Sequence, residues 1–64
     1  MSSYRVKATV EGTDNLFERN VKERTAKAAV ERMWAWLKSE GWSPRWAESE
    51  GADNPHDYAR KGQL

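Results

Sequence analysis

Cysteine is absent from these 64 residues, histidine occurs once and proline twice. Without cysteine there are no disulfides and no thiolate metal sites, so nothing covalent staples this short chain. A single histidine, His56, provides no cluster from which a transition-metal site is built. No apolar run approaches the ~20 residues that a membrane-spanning helix needs. The opening MSSYRVK lacks the apolar core of a secretory signal, so a cytoplasmic protein that avoids membranes is expected. Neither sign of charge dominates: 11 basic against 10 acidic residues leave a formal net charge of +1. Long-range attraction to nucleic acid or to an anionic membrane is correspondingly weak.

The grammar of catalysis is missing as well. There is no phosphate-cradling glycine loop, dinucleotide fingerprint or nucleophile elbow. His56 and Asp57 are adjacent, and neighbours on a helix point apart instead of forming an oriented acid–base pair. The carboxylates of Glu48, Glu50, Asp53 and Asp57 follow no calcium-loop spacing. No enzyme, metal or small-molecule cofactor is expected on these grounds.

What the chain does contain must fold by packing alone. At this length a single domain buries only about 60% of the surface its unfolded form exposes. Residues 4–11, YRVKATVE, alternate: Tyr4, Val6, Ala8 and Val10 take one face, with Arg5, Lys7, Thr9 and Glu11 on the other. That is the period of a half-buried strand. Gly12-Thr13-Asp14-Asn15 supplies turn residues, and 16–22, LFERNVK, reads as the returning strand of a hairpin. Its inward set, Phe17 and Val21, carries Arg19 with it. An inward charge suits an edge strand, so this strand is placed at an edge.

A helix follows from an N-cap at Thr25 to about Glu40, closed by Gly41 in the left-handed position. Ala26, Val30, Met33 and Leu37 form its central apolar stripe. Ala29 and Trp36 flank it on one side and Trp34 on the other. Ser43-Pro44 breaks the chain, and 45–50 is a third strand that returns beside the first through a right-handed crossover. The expected fold is therefore α+β: a β-β-α-β domain over 1–50, with a three-stranded antiparallel sheet in the order 2-1-3 under one amphipathic helix. The polar tail, 51–64, carries a helix-start signal at Asn54-Pro55-His56-Asp57. It reads either as a short helix over 55–61, docked through Tyr58, or as a frayed terminus.

The functional signal is a surplus of tryptophan. Trp34, Trp36, Trp42 and Trp46 are crowded into MWAWLKSEGWSPRW, in a domain with little interior to receive them. Packing at the helix boundary, the common fate of helical aromatics, accommodates Trp34, Trp36 and Trp42. Trp46 has no comfortable place: it either stands on the open side of the sheet or brings Glu48 and Glu50 inward with it. Partly wet aromatics rimmed by charge are the signature of contact surfaces.

The leading expectation is a non-enzymatic protein-binding module, acting as a regulator or inhibitor of a larger partner or by self-association. Its anchors are Trp34, Trp36, Trp42 and Trp46, with Arg19, Arg32 and Arg45 at the rim. A local cation–π pair between Arg32 and Trp36, one helical turn apart, is also expected. The alternative partner is nucleic acid, held on the open sheet face by Arg5, Lys7, Lys22 and Trp46. A third reading is a structural subunit of a larger assembly.

Overall fold

A computed structural model describes residues 2–51 and 55–62. Strands β1 (Ser2–Val10) and β2 (Leu16–Glu23) form the hairpin, followed by helix α1 (Ala26–Ser39), strand β3 (Pro44–Ser49) and strand β4 (Ala59–Lys61). All neighbours are antiparallel in a sheet of order β2-β1-β3-β4. The expected 2-1-3 arrangement under one helix is present, with β2 at an edge.

The hairpin register explains the buried face. Tyr4, Val6 and Ala8 lie opposite Val21, Arg19 and Phe17, so the alternation of both strands points at the helix. Val6, Ala8 and Val10 are fully buried beneath Ala29, Val30, Met33 and Leu37. The helix ends are fixed by local chemistry. Ala28 N–H donates to Thr25 Oγ1 at 3.1 Å, which satisfies an otherwise orphaned first-turn donor. At the other end Gly41 has φ +88°. Its N–H donates to the Lys38 carbonyl and that of Trp42 to the Leu37 carbonyl, both at 3.0 Å. This is the Schellman ending that the Gly41-Trp42 pair predicts.

The tail requires a correction. Residues 59–61 form a fourth strand, and neither a helix over 55–61 nor a frayed end is found there; Asn54, the expected N-cap, lies outside the described residues. Trp46, Ala47 and Glu48 pair with Lys61, Arg60 and Ala59, which satisfies the outer backbone groups of β3. A polar segment joins the sheet because its side chains can alternate across an edge: Arg60 turns toward the helix while Ala59 and Lys61 turn away. Gly62 closes the strand against β3. Its N–H donates to the Arg45 carbonyl at 2.7 Å, and a Cβ on it would lie 2.9 Å from the Pro44 carbonyl oxygen.

Ser49 ties this segment to the core. Fully buried, its Oγ accepts from Tyr58 N–H at 2.9 Å and donates to the Tyr58 carbonyl at 3.3 Å. Ser49→Ala leaves the Tyr58 donor without that acceptor and is expected to cost about 1–3 kcal/mol in a urea titration. Ser43→Ala, at an exposed site, should stay within about 0.5 kcal/mol of wild type. Equal losses would show that the buried hydroxyl does not hold the strand.

Candidate protein-interaction surface

The shoulder between β2 and α1 concentrates aromatic and arginine side chains. Phe17 and Arg19 project from β2 on the helix side because they share the phase of buried Val21. Trp36 projects from the flank of the helix stripe and stays partly exposed. The Arg19 guanidinium lies over the Trp36 ring, 4.3 Å from its centroid. Arg32 instead pairs with Glu23 at 2.9 Å. The expected Arg32–Trp36 stack is thus replaced by one from across the sheet, since Glu23 offers Arg32 an opposite charge and Arg19 must find cover for an inward-facing stem.

One turn further on, Trp42 leaves the Schellman ending and meets Phe17, with ring centroids 5.5 Å apart and planes tilted by 57°. Trp42 remains 40% exposed, and Leu16 beside Phe17 remains 51% exposed. A shallow depression of about 340 Å³ runs along this shoulder, lined by Arg19, Asn20, Val21 and Lys22 of β2 and by Arg32, Met33 and Trp36 of α1. Tryptophan and arginine are the residues that interfaces favour.

The opposite flank has an open depression of its own, about 510 Å³, bordered by Trp34, Lys38, Trp42 and Arg60, but its indole is covered. Trp34 is 6% exposed, and the Arg60 guanidinium lies over its ring at 4.3 Å. Arg60 also pairs with Glu31, whose other oxygen is 3.4 Å from the Tyr58 hydroxyl. Trp34 is therefore a core residue capped by β4, which removes it from the expected anchors. Sequence reasoning missed Arg60, Tyr58 and Glu31 as a group. Its only trace was the same-face spacing of Tyr58 and Arg60, too short to register as a period.

Trp46 stands on the open face of the sheet. Ala47 and Ser49, both fully buried, take the helix side of β3, and Trp46 lies between Thr9 of β1 and Lys61 of β4. A register shift between Thr9 and Val10 leaves Arg45 unmatched on β3, a bulge that exposes it beside Trp46. Together with Glu11, Asp14 and Lys61 these residues line an open groove of about 490 Å³. Arg5, Lys7 and Lys22 share this face, as expected for the nucleic-acid alternative. They are interrupted by acid: Arg5 contacts Glu18 at 3.5 Å, and Lys7 lies between Glu18 and Glu48 in the register.

The fold thus divides the expected anchors. Trp36, Trp42, Arg19 and Arg32 come together on the β2 shoulder, Trp46 and Arg45 lie on the open face, and Trp34 is buried. Among the described residues no group of three or more His, Asp or Glu side chains is placed to hold a metal ion. No helix among them is long and apolar enough to cross a membrane. Comparison with protein-family models, with curated proteins and with solved structures returns no match.

Proposed function

We propose that this chain is a non-enzymatic protein-binding module that works through the β2–α1 shoulder. The observation that carries the reading is exposed Trp42 packed on half-buried Phe17, beside the Arg19-covered Trp36, along a strand whose outer edge has no neighbour among the described residues. Stacked Trp and Arg present large, stiff contact area at low entropic cost. An unpaired strand adds backbone donors and acceptors to the same surface. The open face supports nucleic acid less well, because acidic side chains alternate with its basic ones and weaken the phosphate footprint.

Affinity capture from the native host tests the reading with two variants whose folding is checked by circular dichroism. A partner retained by the wild type should be lost with Trp42→Ser and kept with Trp46→Ser. The reverse pattern would move the interface to the open face. A salt-dependent gel shift abolished by Lys7→Glu would replace the reading with nucleic-acid binding.

A further inference from the structure

We propose that β2 pairs antiparallel with β2 of a second copy of this chain, about a two-fold axis at Asn20, to give one continuous sheet with both helices on the same side. The proposal rests on the protein-binding reading of the β2 shoulder and names one partner for it. The two edges of the sheet differ sharply. β4 is 3 residues long, a length that blunts an edge, whereas β2 offers 8 residues without proline or glycine. The inward charge that should discourage pairing is also out of the way, because Arg19 is folded onto Trp36. The depression along Arg19 to Lys22 lies against this edge, where an added strand would run.

The charge sequence of β2 selects the register. Directly opposed residues of an antiparallel pair share a face, so a two-fold axis passes through a residue and not between two. At Glu18, Arg19 or Lys22 the axis would set like charges against each other. At Val21 the strands would overlap only over residues 19–23; at Asn20 they overlap over residues 17–23. The Asn20 axis also puts Glu18 opposite Lys22 of the second copy, and Lys22 opposite its Glu18, both on the open face. These side chains are available for the exchange. Arg5 holds Glu18 and Asn20 only loosely, at 3.5 and 3.4 Å, and Lys22 makes no ion pair among the described residues. The two Asn20 amides meet on the axis, where each can donate to the other.

The absence of native cysteine makes a clean test. Opposed antiparallel residues have Cα atoms about 4.5–5.5 Å apart, within disulfide range. Asn20→Cys should therefore form a disulfide-linked, folded dimer under mild oxidation. Lys22→Cys would be displaced from its twin by about 13 Å along the strand and should link no faster than Ala35→Cys on the outer helix face. In sedimentation equilibrium the wild type should dimerise, and Glu18→Lys should weaken the dimer about tenfold or more. Adding Lys22→Glu to that variant should restore it. A wild type that stays monomeric at several hundred micromolar, or an Asn20→Cys that links no faster than Ala35→Cys, overturns the proposal. Faster linking by Lys22→Cys would overturn it too. A monomer that still loses a captured partner with Trp42→Ser would preserve the protein-binding reading while removing the self-pairing.

Discussion

Replacing Leu37 with alanine is expected to leave a large fraction of the protein unfolded at room temperature. Leu37 is fully buried at the end of the helix stripe, packed in the same cluster as Val6, Val10 and Met33. Truncating such a leucine costs about 2–5 kcal/mol, from lost burial and from the cavity left behind. A chain of this length has only roughly 3–10 kcal/mol of total stability. The backbone contribution is untouched, because Trp42 N–H still finds the residue-37 carbonyl; the loss is therefore a measure of packing alone. Urea titration followed by tryptophan fluorescence reads it directly. Ala35→Ser, on the exposed helix face, serves as the reference and should shift stability by no more than about 0.5 kcal/mol. A loss below about 1 kcal/mol for Leu37→Ala would contradict the packing described.

Ending the chain at Glu50 is expected to have an effect of similar size, although it removes only polar-looking sequence. Three kinds of interaction disappear together. Trp34 loses the Arg60 guanidinium that covers it, Tyr58 leaves the rim of the core, and the backbone of β3 loses its outer partner. Ser49, fully buried, also loses its three hydrogen bonds to Tyr58, two through Oγ and one from its backbone N–H. The freed segment regains conformational entropy, which offsets part of the loss. About 3 kcal/mol or more should remain as net destabilisation. Thermal melts by circular dichroism should fall well below the full chain, with tryptophan emission shifted to the red as Trp34 meets water. A truncated chain that melted cooperatively at the full-length temperature would show that β4 contributes nothing to the fold.

That truncation marks the limit of what sequence patterning reveals. The alternation of Tyr4, Val6, Ala8 and Val10 is long enough to fix both the strand and its buried face. The phase of Phe17, Arg19 and Val21 follows from the hairpin, including the inward arginine. Thr25 and Gly41 mark the helix ends because capping is a matter of a few neighbouring backbone groups. β4 offers only Ala59, Arg60 and Lys61, too few for a period, behind an Asn-Pro pair whose local preference is to start a helix. Its pairing comes from β3, the preceding strand, whose outer backbone groups find partners only when the folded chain brings the tail alongside.

The candidate surface was legible to the same degree and for the same reason. Composition announced that four tryptophans exceed what a small core can take, and the helical period set Trp34 and Trp36 on opposite flanks of the stripe. Which arginine would cover which indole was not a local question. A one-turn rule pairs Arg32 with Trp36, yet Arg19 occupies that ring from the neighbouring strand and Arg32 turns to Glu23. Arg60 settles Trp34 from the far edge of the sheet.

By itself, then, the sequence determined the hairpin, the helix with its caps, the third strand, the edge position of β2 and the two faces of the hairpin, because these depend on periodicity and on groups a few residues apart. The tertiary structure decided how the tryptophans are shared out. The helix packs most extensively against β3, and only small side chains, Ala47 and Ser49, fit beneath it. That requirement turns Trp46 to the open face, while the two sheet edges bury Trp34 and leave Trp36 and Trp42 at the surface.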